Sequence, residues 1–216
     1  MMKNDALLFC GFSYRQNYYK ELIDTAPANW NFHELSYFEI LKSSSTNNYH
    51  DAIDKYLENN KIKKINIIAH SLGGAYAINY AFYHPDKIEK LYLLNTLGVK
   101  HKYIFLRFLL FSLLNKSQNF NKHMKEDFYG IMNILKTPSM HLKLLRYLKG
   151  NDLELKASKL KVKSMIIWAE KDFLLPISDG ESLHKLIKNS EFVRLKNIGH
   201  DWPLYSPELF WKNIHA

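Results

Sequence analysis

The thirteen residues Ile65–Ala77 constrain this chain more than any other stretch. Ile65-Asn66-Ile67-Ile68-Ala69 is a short apolar run of the kind that forms a buried strand. It passes without a spacer into His70-Ser71-Leu72-Gly73-Gly74, after which apolar residues at Leu72, Ala75, Ile78 and Ala81 take up helical spacing. A strand that turns directly into a helix leaves room only for small side chains two residues before and two after the turn, here Ala69 and Gly73. The strained backbone lifts the serine clear of the sheet, and the first N–H groups of the helix point toward any negative charge that develops beside it. Two roles fit Ser71 on this pattern alone: an N-cap, since serine is favoured there, or an exposed nucleophile. The rest of the chain decides between them.

Strand-like and helix-like pieces alternate on both sides of this stretch. Ala6–Phe9, Ile88–Asn95, Ser164–Ala169 and Glu191–Leu195 read as strands, and Trp30–Phe38 alternates as an edge strand would. Tyr14–Ile23, Tyr49–Leu57, Asp179–Ile187 and Pro207–Ile214 read as helices. This alternation predicts an α/β fold, an open and mostly parallel sheet with helices on both faces. Six strands are expected, with Trp30–Phe38 at the edge. Residues 100–160 break the alternation with a helical, basic pattern. The division is therefore a core of 1–99 and 161–216 with an insertion at 100–160.

Two more positions belong with Ser71. After the strand Met165–Ala169 comes Glu170-Lys171-Asp172, and after Phe192–Leu195 comes Asn197-Ile198-Gly199-His200. The carboxyl ends of parallel strands open into one crevice, so Ser71, Asp172 and His200 converge there. A neutral hydroxyl is a weak nucleophile, so an imidazole must take its proton. A carboxylate must then fix the tautomer of that imidazole and stabilise its charged form. Asp172 is the expected acid and Glu170 the alternative; as bland readings, Asp172 is a turn residue and His200 a loop histidine.

The stretches Ala-His-Ser71-Leu-Gly-Gly, His84-Pro85-Asp86, Trp-Ala-Glu-Lys-Asp172 with Pro176, and Gly199-His200 with Pro207 resemble the α/β-hydrolase superfamily, from Leu7 to Phe210. The resemblance implies a Ser71-His200-Asp172 triad. It also implies an oxyanion hole built from the N–H groups of Phe12, which follows Gly11, and Leu72, and it makes the insertion a helical lid. Three features depart from the family pattern. Cys10 stands where histidine is usual, Ala69 replaces the first glycine of the turn, and the two antiparallel strands that commonly open the fold find no room before residue 6. Cys10 is expected to act as a small apolar residue beside the pocket.

The net charge of +9 is uneven. Residues 100–163 carry fourteen Lys and Arg against four Asp and Glu, while the remainder carries sixteen against seventeen. The whole excess thus falls on residues 100–163, the insertion and its return to the core, including Lys143, Arg146 and Lys149 as candidate partner-binding residues. An acidic acyl carrier protein or an anionic membrane surface suits such charge, and so does a plain solvated face. No groove-reading or base-stacking motif accompanies it, so nucleic acid is not expected. A single cysteine excludes an intramolecular disulfide. With no apolar leader evident, a cytoplasmic location is the expectation.

The expected activity is hydrolysis of carboxylic esters of acyl groups through an acyl-enzyme, with carrier-linked esters as the sharper version. No metal or organic cofactor is expected. The competing readings are a hydrolase-like binding protein without turnover, or an acyltransferase, thioesterase or C–C bond hydrolase on the same fold.

Overall fold

A computed structural model of the chain describes residues 4–11, 16–33, 48–100, 107, 147 and 150–214. Six strands form one sheet: β1 (Asn4–Phe9), β2 (Trp30–His33), β3 (Ile65–His70), β4 (Ile88–Leu94), β5 (Ser164–Ala169) and β6 (Ser190–Leu195). The order is β2-β1-β3-β4-β5-β6 and every pairing is parallel. This is the expected sheet, with Trp30–His33 at its edge; positions 34–38 of the expected strand lie outside the described residues.

Burial follows position in the sheet. Every residue of β3 and β5 is buried, as parallel strands covered on both faces require. The edge strand β2 is half-buried throughout. Its Trp30 packs edge-on against Trp211, at 5.2 Å between ring centroids.

The helices are α1 (Lys20–Asp24), α2 (Asn48–Asn59), α3 (Gly73–Tyr83), α4 (Leu153–Ser158), α5 (Ile177–Leu186), α6 (Trp202–Tyr205) and α7 (Glu208–Ile214). On α2 the fully buried Tyr49, Ile53 and Leu57 recur every fourth residue, which puts them on one face. Helix α3 is buried along nearly its whole length. It packs against β1, β3 and β4, so the segment that follows Ser71 is held by the centre of the sheet. Among the described residues no helix is long and apolar enough to cross a membrane.

Lys100 meets the start of α4. The Lys100 N–H donates to Glu154 Oε1 at 2.7 Å, and the Lys100 ammonium lies 3.7 Å from Asp152. Asp152 also caps α4 by accepting from the Leu155 N–H. Helix α4 packs on α3 and α5. Of the intervening residues, Tyr147 stacks on Tyr76 at 4.5 Å and shares a hydrogen bond with Tyr49. Arg107 donates to the Phe173 carbonyl at 3.5 Å.

Candidate active site

Ser71 is the first residue after β3 and stands at φ 52°, in the left-handed region. For a residue with a Cβ this costs roughly 1–2 kcal/mol. Three main-chain hydrogen bonds hold it there: Ser71 N–H to Leu94 O (3.2 Å), and the N–H groups of Gly74 (3.1 Å) and Leu97 (2.9 Å) to Ser71 O. The closeness of the turn has a cause in Gly73. A Cβ built on it would fall 2.1 Å from the Phe9 carbonyl oxygen and 2.8 Å from that of Cys10. Only glycine lets the start of α3 lie directly on the end of β1. Leu72, at the helix entry, is buried. Its N–H takes no main-chain acceptor among the described residues.

Asp172 and His200 meet as a buried pair, with Asp172 Oδ2 2.6 Å from His200 Nδ1. The loop after β5 wraps around this carboxylate. Oδ1 accepts the N–H groups of Leu174 (2.9 Å) and Leu175 (2.8 Å). Trp168, fully buried in β5, donates its indole N–H to the Leu175 carbonyl and fixes the far end of the loop. Glu170, the alternative acid, is exposed. Burial opposes protonation of His200, but the charge and hydrogen bond of Asp172, helped by Asp201, outweigh it and raise the pKa above the ordinary imidazole value. Among the described residues no hydrogen bond yet joins the Ser71 hydroxyl to His200. Contacts of this kind are often long before substrate binds.

Two polar residues of the site carry no signal in the sequence. Asn95, at the end of β4, is fully buried with φ 45°. Its amide donates to Asp172 Oδ2, while its Oδ1 accepts from the Ala169 N–H (3.1 Å) and the Trp202 indole (2.8 Å). One side chain thereby ties β4, β5, the acid and the segment after His200. The second residue is His70, directly before the serine. It lies between the Tyr19 hydroxyl (2.7 Å from Nδ1) and the His200 carbonyl (3.1 Å from Nε2). Both depend on partners 51 to 130 residues away, which no local pattern encodes.

Burial pushes the Cys10 thiol up, so it stays protonated and acts as a small apolar neighbour. His70, His200 and Asp201 offer ligand atoms within 4.8 Å of one another. Both nitrogens of His70 already have hydrogen-bond partners, however, and a cation there would have to displace one. Phe12, the other expected oxyanion donor, and Lys143, Arg146 and Lys149 lie outside the described residues.

A family model described as the alpha/beta hydrolase fold matches residues 23–129, a span that contains Ser71 and stops short of Asp172 and His200. A thermophilic esterase from Thermogutta terrifontis superposes with a TM-score of 0.76 over 99% of this chain and 89% of its own, at 16% identity. The chain has the α/β-hydrolase fold. Among the curated relatives, a 1-acylglycerol-3-phosphate O-acyltransferase of Saccharomyces cerevisiae is 45% identical over 51 residues, 24% of this chain and 13% of that protein. An uncharacterized hydrolase of Bacillus subtilis is 23% identical over 181 residues, 73% of this chain and 66% of the relative. The chain thus spans less than two thirds of the length of either relative. Its parallel sheet puts the three expected triad positions after β3, β5 and β6, at one end of the sheet.

Proposed function

We propose that the protein is a serine hydrolase of carboxylic esters, with Ser71 as nucleophile, His200 as general base and acid, and Asp172 as orienter. The observation that carries this reading is the buried 2.6 Å contact between Asp172 Oδ2 and His200 Nδ1, at the sheet end where Ser71 stands on its left-handed turn. Asp172 fixes the Nδ1–H tautomer and leaves Nε2 to accept the Ser71 proton. Ser71 Oγ adds to the acyl carbonyl, and the tetrahedral oxyanion is held by the N–H of Leu72, with Phe12 as the second donor. The imidazolium then protonates the leaving alcohol as the C–O bond breaks. Water, deprotonated by His200, adds to the acyl-enzyme and releases the acid, regenerating Ser71. These steps need only groups of the chain and water.

Ser71→Ala is expected to lower turnover of p-nitrophenyl esters at least about a thousandfold, since triad members act as a unit. It should also abolish labelling by a fluorophosphonate while leaving the melting temperature within a few degrees. Retained labelling at another residue sinks the assignment.

Acyl transfer is the second reading, favoured by the 45% identity over 51 residues to the yeast acyltransferase. It differs only in the acceptor, an alcohol in place of water. Product analysis with a glycerol-based acceptor at graded concentration separates the two. The charge of residues 100–163 further supports an acyl group delivered on an acidic carrier or from an anionic surface.

A further inference from the structure

Beside the triad runs a second chain of hydrogen bonds, from Gly11 to the main chain of His200. The Gly11 N–H donates to the Tyr19 hydroxyl at 3.0 Å. Tyr19 Oη lies 2.7 Å from His70 Nδ1, and His70 Nε2 lies 3.1 Å from the His200 carbonyl oxygen. A carbonyl cannot donate, so Nε2 must carry a proton. Uncharged imidazole then has Nδ1 free to accept, and the hydroxyl proton of Tyr19 goes there. Tyr19 and His70 are fully buried, and all four residues are shielded from water. Burial, with the neighbouring His200, pushes the His70 pKa well down against the opposing pull of the His200 carbonyl, so the uncharged form fits the surroundings.

The two ends of this chain are what give it a role. Gly11 immediately precedes Phe12, the residue assigned to the oxyanion hole. His200 is the general base. Both contacts are to main chain, so they fix where each loop sits, while Asp172 fixes how the imidazole is turned. His70 is itself the last residue of β3 and adjoins Ser71.

We propose that His70 and Tyr19 form an uncharged relay that positions the reaction, locking the oxyanion turn at Gly11 to the main chain of His200. They are positioning residues, and the His70 ring also packs beside that of His200, at 4.9 Å between centroids. The proposal rests on the triad reading. It assigns to the residue before the nucleophile a task separate from shaping the turn.

The test is a double-mutant cycle on the full chain with a p-nitrophenyl ester, measuring kcat, KM and melting temperature for Tyr19→Phe, His70→Leu and the pair. Each single change removes the continuity of one relay, and each is expected to lower kcat about tenfold with KM within twofold. The pair should be no slower than the slower single variant, because a broken relay cannot be broken again. His70→Gln, which keeps one donor and one acceptor, should recover part of the kcat lost in His70→Leu. Multiplying losses, an effect confined to KM, or a folded Tyr19→Phe with unchanged kcat each overturn the relay. If His70→Leu does not fold, His70→Gln and His70→Asn complete the cycle in both Tyr19 backgrounds. Ser71→Ala in the same assay keeps the two readings apart: an inactive Ser71→Ala with multiplying relay losses removes the relay alone, and an active one removes the triad.

Discussion

Gly73→Ala adds a single methyl group at the first residue of α3, and its effect can be worked out from the contacts. On an open helix this change stabilises by about 0.5–1 kcal/mol, because alanine has less backbone entropy to lose. Here the new Cβ would lie 2.1 Å from the Phe9 carbonyl oxygen, 2.6 Å from its carbonyl carbon and 2.8 Å from the Cys10 oxygen. All three are main-chain atoms, so no rotamer change relieves them. Reaching an ordinary contact of 3.4 Å requires the end of β1 and the start of α3 to separate by 1.3 Å. Overpacking of this kind costs about 1–3 kcal/mol and outweighs the helix gain. The net loss of about 0.5–2 kcal/mol is expected to lower the melting temperature by about 1–8 °C, at roughly 2–4 °C per kcal/mol for a chain of this size. Activity should suffer more than stability. The displaced segment leads into Gly11 and Phe12, and a misplacement of about 1 Å costs on the order of a hundredfold in rate. The assay is kcat and KM on a short-chain p-nitrophenyl ester beside thermal unfolding. Gly150→Ala serves as the control, since a Cβ there meets nothing within 4 Å. A Gly73→Ala protein with normal kcat and a raised melting temperature would refute the reasoning.

Asp172→Asn is expected to reduce turnover by about four orders of magnitude, whereas Glu170→Gln, at an exposed position, should stay within about twofold. In the wild type kcat/KM should rise with pH through an apparent pKa above 6.5, because His200 must be uncharged to accept a proton and its surroundings raise its pKa. Asp172→Asn should move that limb to lower pH; a limb that stays in place in a folded variant assigns the titration to another group. For the basic insertion, raising salt from about 0.1 to 1 M shortens the screening length from roughly 10 to 3 Å. It should cut kcat/KM for acyl-carrier substrates steeply and leave a neutral ester unchanged, and Lys143→Glu, Arg146→Glu and Lys149→Glu together should mimic it at low salt. An equal response of both substrates leaves the charge as a solvated face.

The parts legible in the sequence are those written in local pattern. The unbroken apolar runs of β3 and β5 report strands buried on both faces, and the turn between Ala69 and Gly73 reports a helix pressed onto a strand. Asp172 and His200 were readable because each follows a recognisable strand in a sheet whose carboxyl ends converge. Asn95 also follows a strand, but an asparagine there reads as a turn residue until Asp172, Ala169 and Trp202 surround it. His70 reads as part of the turn, and its task exists only once Tyr19 and His200 are beside it. Helix α6, four residues long with Pro203 inside it, is too short for any periodic signal. Helix α4 falls within the range read as the insertion, yet it packs on α3 and α5.

The bond between Lys100 and Glu154 means that the chain leaves the core and returns to it at a single point. The length between those residues therefore sets no distance inside the sheet. Closing a longer excursion is thermodynamically inexpensive, about 0.6 kcal/mol for each doubling. Residues can be gained, lost or exchanged there while Ser71, Asn95, Asp172 and His200 keep their spacing. The spacing of the strand ends is in this sense independent of how many residues lie between Lys100 and Glu154.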